Sequence, residues 1–217
     1  MKYKAIIFDM DGTLLDTSVD VHNCVNIFLK KYGYSLKTPE DIQRGMGGGA
    51  KKLIHMMLPE GTSEEDFETF FNDYLPYYET HGKDLTKPYP GIVELLRELK
   101  EKGIKLAVVS SKPHKGVLSL CDFYFKDLFD IALGDTFSMK LKPAPDCIYY
   151  VLDKLGISKE EALYIGDSEP DVQVSKNANM DGVAVSWGYR SKETLLKECP
   201  MFIADNIEEL RDIIFKD

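Results

Sequence analysis

Four short stretches of this sequence carry polar side chains that could act together on a phosphate ester. Taken singly, each has an ordinary explanation, since an isolated Asp-x-Asp is more often an acidic helix cap than a catalytic pair. Taken together, they supply two pairs of acids, a pair of hydroxyls and a cation. In chain order, these residues are Asp9 and Asp11, then Ser110 and Ser111, then Lys142, and finally Asp167 and Asp171.

The chemistry that suits this set is phosphoryl transfer. Neighbouring carboxylates repel a phosphate dianion unless a divalent cation lies between them, and ligands that are all oxygen atoms favour Mg²⁺. A lysine and a hydroxyl can neutralise and hydrogen-bond the phosphoryl oxygens. One acid can then attack phosphorus while the other transfers the proton.

The elements that must position these side chains alternate along the chain. Apolar, β-rich runs are separated by helical patterns, such as the apolar positions 92, 95, 96 and 99 that precede Gly103. Continuous apolar runs are typical of buried parallel strands, whose carboxyl ends form the ligand-binding edge of an open sheet. We therefore predict an α/β core with a doubly wound, Rossmann-like parallel sheet. The apolar runs cover residues 3–8, 104–109, 131–133, 162–165 and 183–185.

Residues 16–86 interrupt this alternation, because they contain helical stripes and no convincing strand. One stripe begins at Val21, and another begins at Phe67 after the sequence Ser-Glu-Glu-Asp, which resembles a capping box. We predict that residues 16–86 form an all-helical cap over the strand ends. The α/β core would then be discontinuous and consist of residues 1–15 and 87–217.

Composition limits the classes of function. A net charge of -9 argues against a broad surface for nucleic acid, and no apolar run approaches the length of a membrane span. The four cysteines have no Cys-x-x-Cys spacing, and no secretory signal is visible at the N-terminus. These features predict a cytoplasmic protein that binds neither nucleic acid nor a membrane. With the residues suited to phosphoryl transfer, we expect a small phosphorylated metabolite as its partner, and we expect a monomer or weak homodimer.

In their order and residue types, the four motifs resemble those of the haloacid dehalogenase superfamily of aspartyl phosphatases. The resemblance implies that Asp9 is the nucleophile and that Asp11 protonates the leaving oxygen and then activates water. It also implies that Ser110 and Ser111 bind the phosphoryl group and that Lys142 orients Asp9 and the phosphate. The implied Mg²⁺ ligands are Asp9, Asp11 through its main-chain carbonyl, Asp167, and Asp171, the last acting directly, through water or by positioning Lys142.

Within the superfamily, the acidic residue at position 11 favours phosphate-ester hydrolysis over cleavage of carbon–chlorine or carbon–phosphorus bonds. The sequence is most similar to the group that contains phosphoglycolate phosphatase and β-phosphoglucomutase. It departs from the usual pattern at Ser110-Ser111, where Thr-Asn is common, and at Asn179, where glycine is usual. Asn179 is predicted to take the left-handed conformation at a helix end. Weaker similarities lie at Asp16-Thr17, Tyr89-Pro90-Gly91-Ile92, Ser110-Ser111-Lys112-Pro113 and Ser186-Trp187-Gly188-Tyr189.

The predicted cap contains a glycine-rich stretch that begins at Gly45 and fails the pattern of a nucleotide-binding loop. Its free amides could instead face the active site, so Gly45 and Gly47 are candidate substrate contacts. His22 is a further candidate, although a surface or packing role is the commoner one for such a histidine.

Two other functions compete with a phosphatase. A sugar-phosphate mutase of the β-phosphoglucomutase type would use the same aspartyl-phosphate, but His22 lies one residue out of register with the cap histidine of those mutases. A receiver-type signalling domain also combines a phosphorylated aspartate with acids, a hydroxyl and a lysine. Its acidic pair precedes the phosphorylated residue on another strand, and it has no inserted cap.

Overall fold

The computed structural model describes residues 2–216, and its centre is a six-stranded sheet in which all neighbouring strands are parallel. The strands are β1 (Ala5–Phe8), β2 (Leu15–Asp16), β3 (Lys87–Pro88), β4 (Lys105–Pro113), β5 (Ile131–Asp135), β6 (Ala162–Gly166), β7 (Asp181–Val185) and β8 (Phe202–Ala204). The order across the sheet is β5-β4-β1-β6-β7-β8, while β2 and β3 form a separate ribbon. The first strand along the chain is therefore at the centre of the sheet.

Ten α-helices accompany these strands within residues 2–216. They are α1 (Ser18–Lys31), α2 (Pro39–Gly45), α3 (Ala50–Met57), α4 (Glu64–His81), α5 (Ile92–Glu101), α6 (His114–Tyr124), α7 (Asp146–Leu155), α8 (Glu169–Asn177), α9 (Lys192–Lys197) and α10 (Ile207–Phe215). Within residues 2–216, no helix is both long and apolar enough to cross a membrane.

Both faces of the sheet are covered, as the alternation along β1 shows. Ile6 and Phe8 belong to a hydrophobic cluster that includes residues of α5, α6 and α10. Ala5 and Ile7 belong to another cluster, which includes residues of α7 and α8. Successive strand residues point to opposite faces, so a strand that is apolar throughout is buried on both sides. The predicted doubly wound α/β core is confirmed.

The four helices α1–α4, called the helical insertion below, lie in the chain between β2 and β3 and share a hydrophobic core of their own. The entry and exit of this segment meet in the small ribbon, where Leu15 pairs with Pro88 and Asp16 with Lys87. The buried Asp20 of α1 accepts hydrogen bonds from the main-chain N–H groups of Leu85 and Thr86. The structure thus ties together the two ends of the helical insertion, while the boundaries 16 and 86 for a separate cap stay a prediction.

Each of the five predicted runs contains or overlaps a strand, but three details differ from the prediction. β4 continues beyond Val109 to Pro113, so the serine pair lies inside a strand rather than after it. The short edge strand β8 and the ribbon of β2 and β3 were not predicted, because segments of two or three residues carry no periodicity. The expected left-handed conformation of Asn179 is confirmed by its φ of 51°.

Candidate active site

Asp9 is the first residue after β1, and its main chain adds one more hydrogen bond between β1 and β6. Its N–H donates to the carbonyl of Ile165 at 2.8 Å, which fixes the side chain at the carboxyl edge of the sheet. Only 3% of the residue is exposed. Burial raises the pKa of Asp9 to about 7; Lys142 opposes this shift, whereas Asp171 and Asp11 add to it.

Lys142 lies beneath Asp9 in a buried network. Its Nζ lies 2.9 Å from Oδ1 of Asp9 and 2.6 Å from Oδ1 of Asp171, and it donates to the hydroxyl of Tyr164 at 3.0 Å. Burial disfavours the lysine cation, but Asp171 and Asp9 outweigh burial and raise the pKa of Lys142 above its ordinary value. The cation is therefore held in place and charged beside Asp9.

Asp171 is held from several directions. Oδ1 accepts a hydrogen bond from the hydroxyl of Tyr164 at 2.8 Å, and Oδ2 accepts one from the N–H of Ser168 at 3.0 Å. The second contact belongs to a capping box at the start of α8. Because a fully satisfied buried network is rigid, Asp171 fixes the position of Lys142.

Asp167 lies at the end of β6 in a tight cradle of main chain. Oδ1 accepts from the hydroxyl of Thr13 at 3.2 Å, and Oδ2 accepts from the N–H of Tyr189 at 2.8 Å. A Cβ at Gly12 or Gly188 would overlap the Asp167 carboxylate, and Gly12 also has a φ of +86°. Burial, reinforced by Asp171 and Asp9, raises the pKa of Asp167 well above its ordinary value.

The acids of this edge fit a divalent cation. Carboxylate oxygens of Asp9, Asp167 and Asp171 lie within 4.8 Å of one another, and all three residues are buried. Oδ1 of Asp9 is close to Lys142, yet among residues 2–216 it has no hydrogen-bond partner of suitable geometry. Lys142 alone does not balance these three buried carboxylates, and a cation with oxygen ligands would offset the remaining negative charge. The carboxylate of Asp11 is not part of the cluster.

Asp11 instead faces a different set of partners. Its Oδ1 accepts a hydrogen bond from the hydroxyl of Thr17 at 2.6 Å and lies 3.0 Å from Nζ of Lys112. Lys112 also donates to the hydroxyl of Tyr78 on α4. Lys112 was noted only as part of the similar segment Ser110-Ser111-Lys112-Pro113, and neither it nor Tyr78 or Tyr164 was given a role. Their contacts join segments far apart in the chain, which sequence patterns do not show.

A cavity of about 50 Å³ lies between the sheet edge and the helical insertion. Ser111 lines it, and the buried hydroxyl of Ser111 has no hydrogen-bond partner among the described residues, so it is free to bind a ligand. The hydroxyl of Ser110 accepts a bond from the N–H of Lys112 at 3.3 Å. The cavity is lined by Asp9, Asp11, Val21, Met46, Gly47, Gly49, Ala50, Leu53, Tyr74, Tyr78, Ser110, Ser111, Lys112 and Pro113.

Of the candidate substrate contacts in the helical insertion, Gly47 lies at the cavity, whereas Gly45 and His22 lie elsewhere. Gly47 lines the cavity, as does Gly49, which the sequence reasoning did not name as a contact. Within the described chain, the cavity wall includes neither Gly45 nor His22. Gly45 ends α2 and approaches the side chain of Leu53. A ring nitrogen of His22 lies 3.1 Å from the carbonyl of Lys37, within the helical insertion.

Known proteins share both this sequence pattern and this fold. Phosphoglycolate phosphatase 1 of Pseudomonas aeruginosa is 31% identical over 218 residues, covering 95% of this chain and 78% of its own. The phosphoglycolate phosphatase of Aquifex aeolicus is 33% identical over 211 residues, covering 96% of this chain and 97% of its own. A solved structure from Lactobacillus delbrueckii subsp. bulgaricus, described as a candidate phosphoglycolate phosphatase, has a TM-score of 0.93 and 36% identity over all of both chains.

The family comparison agrees with the motifs read from the sequence. The model of the haloacid dehalogenase-like hydrolases matches residues 6–185, a range that contains the whole cluster of acids, Lys142 and the serine pair. The chain belongs to the haloacid dehalogenase-like hydrolase family.

Proposed function

We propose that this protein is a magnesium-dependent phosphatase for small phosphate monoesters, with phosphoglycolate as its substrate. The observation that carries the proposal is the pairing of Asp9 with Lys142 at the end of β1, beside two further buried acids and below a small cavity. The names of the relatives in Pseudomonas aeruginosa and Aquifex aeolicus support the choice of phosphoglycolate.

The proposed reaction has two steps at Asp9. An oxygen of the Asp9 carboxylate attacks phosphorus, the bond from phosphorus to the ester oxygen breaks, and Asp11 donates a proton to the leaving oxygen. Asp11 then takes a proton from a water molecule, which attacks phosphorus and breaks its bond to Asp9. Inorganic phosphate leaves, and Asp9 and Asp11 return to their starting forms.

The surrounding residues stabilise the phosphoryl group. Ser110 and Ser111 bind its oxygens, and Lys142 orients Asp9 and offsets negative charge. Asp9, the main-chain carbonyl of Asp11, Asp167 and Asp171 would hold Mg²⁺. When bound, this ion balances the negative charge that the acids and the phosphoryl oxygens bring together.

The size of the cavity favours a substrate with few atoms beyond the phosphate. The cavity has about 50 Å³ of internal space and opens to solvent, so a small leaving group fits beside the phosphoryl group more easily than a hexose. A sugar-phosphate mutase needs room for a hexose, and His22, which lies one residue out of register with the cap histidine of those mutases, is not in the described cavity wall. Membership of a hydrolase family also disfavours a receiver-type signalling domain.

The proposal is tested by measuring kcat/KM for a panel of phosphate compounds with Mg²⁺ present. The panel contains phosphoglycolate, glucose 6-phosphate, a nucleoside monophosphate and pyrophosphate, and a parallel assay follows isomerisation of β-glucose 1-phosphate. We expect phosphoglycolate to be preferred by at least about tenfold, equivalent to about 1.4 kcal/mol of transition-state binding. Efficient isomerisation with slow hydrolysis would replace the phosphatase by a mutase, and a flat panel would remove phosphoglycolate as the substrate.

A further inference from the structure

Lys112 is a buried cation at the contact between the sheet edge and the helical insertion. Its side chain is only 3% exposed, and its Nζ lies 3.0 Å from Oδ1 of Asp11. The same ammonium contacts the hydroxyl of Tyr78 and lies 4.6 Å from the centre of the Tyr78 ring. The proposed reaction gives Lys112 no role, although burying a charged lysine costs several kcal/mol unless it is well paired.

Lys112 is also the only cation in the described wall of the cavity. The two other charged residues of that wall are Asp9 and Asp11, which are both acidic. Lys142 lies below Asp9 and does not line the cavity. The part of the wall that the helical insertion provides is mainly apolar, and it consists of Val21, Met46, Gly47, Gly49, Ala50, Leu53, Tyr74 and Tyr78.

This distribution of charge discriminates between substrates. Lys142 and a bound cation can neutralise the charge of the phosphoryl group. A second anionic group on the same small molecule would contact apolar side chains and two acids. Such a group is disfavoured against these apolar side chains and acids unless a cation accompanies it. An ammonium has three N–H donors, and Asp11 and Tyr78 take two of those on Lys112, which leaves one for a ligand.

We infer that Lys112 binds the second anionic group of the substrate and thereby selects small phosphate esters that also carry a carboxylate. Phosphoglycolate has this chemistry, with its carboxylate one carbon from the ester oxygen. The inference rests on the proposed phosphatase function and adds the residue that determines its specificity. A charge-assisted hydrogen bond in a buried site accounts for a preference of roughly 10- to 100-fold.

The test compares two substrates of nearly equal shape, phosphoglycolate and its neutral amide, phosphoglycolamide. The ratio of their kcat/KM values is measured for the unaltered protein and for the variants Lys112→Met and Lys112→Arg. Lys115→Met is the control, because it removes an exposed lysine from the adjoining helix α6. Because both substrates are assayed on one preparation, a fraction of unfolded protein cancels from the ratio.

We expect the unaltered protein and Lys115→Met to prefer phosphoglycolate equally. Lys112→Met should lower the preference at least tenfold, and Lys112→Arg should retain more of it because the charge remains. If Lys112→Met lowered kcat/KM equally for both substrates, Lys112 would only orient Asp11. If kcat/KM changed for neither substrate, Lys112 would have no role in the reaction. Either result overturns the inference. Failure of the proposed function is separate, since it would appear as absence of hydrolysis of both compounds by the unaltered protein.

Discussion

The sheet edge and the helical insertion are built on opposite principles, although they face the same cavity. At the sheet edge, charged groups are buried, and Asp171 is held there by Lys142, Tyr164 and Ser168. The helical insertion has an aromatic interior, in which Phe28 packs edge-on against Phe70. The edge therefore supplies reactive groups at fixed positions, while the insertion supplies shape and excludes water.

The two regions also contribute differently to the stability of the folded protein. Burial raises the pKa of Asp9 and of Asp167, so each carboxylate is less stable in the folded protein than in water. Burial of apolar rings has the opposite effect and stabilises the helical insertion. Changes at Asp9 or Asp167 should therefore affect the chemical step strongly with little loss of stability. Changes at the cavity side of the insertion should alter substrate binding and closure.

The strongest test of this contrast is Asp9→Asn. The substitution removes the proposed nucleophile, and we expect kcat to fall by at least about 10³-fold. The melting temperature without metal at pH 8 should not decrease, because a carboxylate whose pKa is raised to about 7 is disfavoured there. Activity assays and thermal melts measure the two effects. A variant that keeps its activity would contradict the covalent mechanism, and one that unfolds would contradict the separation of chemistry from stability.

The second test uses pH and Mg²⁺ on the unaltered protein. The ordinary pKa of the Asp9 carboxyl is 3.8 and burial raises it to about 7, so the folded protein retains a proton that the unfolded chain loses. Stability without metal should thus fall as pH rises from about 4 to 7. Mg²⁺ must displace this proton, so its affinity should increase with pH by up to about tenfold per unit for each proton released.

The measurement is the rise in melting temperature on adding Mg²⁺ at pH 6 and at pH 8, at equal metal concentration. We expect Mg²⁺ to raise the melting temperature more at pH 8 than at pH 6. In Asp9→Asn, this difference between the two pH values should be smaller. The same rise at both pH values would mean that Mg²⁺ does not compete with protons at this cluster.

The sequence predicted the sheet edge better than the helical insertion, and the reason is physical. Asp9 and Asp167 follow buried strands, and parallel strands bring their carboxyl ends to one edge whatever the details of packing. No such rule places the residues of helices over a cavity. His22 and Gly45 were plausible contacts by position in the chain, but helix packing turns His22 toward Lys37 and Gly45 toward Leu53.

A third test probes how closely the helical insertion approaches the sheet edge. Gly49 has a φ of +91°, and a Cβ there would lie 3.0 Å from Cδ1 of Leu141 and 3.3 Å from the carbonyl oxygen of Ser111. Gly61 has a φ of +82°, but a Cβ would meet nothing within 4 Å. Alanine strains the backbone at both sites and should destabilise each by about 1–3 kcal/mol, Gly49 toward the upper value because its ψ of 161° lies in a region that essentially only glycine adopts.

Only Gly49→Ala should also displace the cavity wall. We expect its kcat/KM to fall by about tenfold, since small misplacements at a reaction site are costly. The kcat/KM of Gly61→Ala should remain within about twofold of the value for the unaltered protein. Equal activity of the two variants, measured at a temperature where both are folded, would show that the approach at Gly49 does not matter for catalysis.

Arg190 makes a contact between the two regions that the sequence did not indicate. Arg190 follows β7 in an ordinary loop, and its partners on the helical insertion are main-chain carbonyls, which every residue possesses. A side chain that recognises backbone leaves no complementary residue type to detect in the sequence. The charged partner of Arg190 among residues 2–216, Glu169, lies on the same side of the cavity as Arg190, at the start of α8.

The smallest expected effect comes from Arg190→Met, which removes this contact. Arg190 donates to the carbonyls of Gln43 and Met46 at 2.8 Å each, and these carbonyls belong to the end of α2, directly before the loop that carries Gly47. Anchoring α2 should hold that loop over the cavity, so we expect KM to rise by about three- to tenfold with little change in kcat. Arg44→Met is the matched control, because the Arg44 side chain is exposed and pairs only with Asp41 at 3.5 Å among the described residues. If both variants behaved alike, closure of the cavity would depend on the apolar surfaces alone, and the two regions would be more independent than the hydrogen bonds of Arg190 indicate.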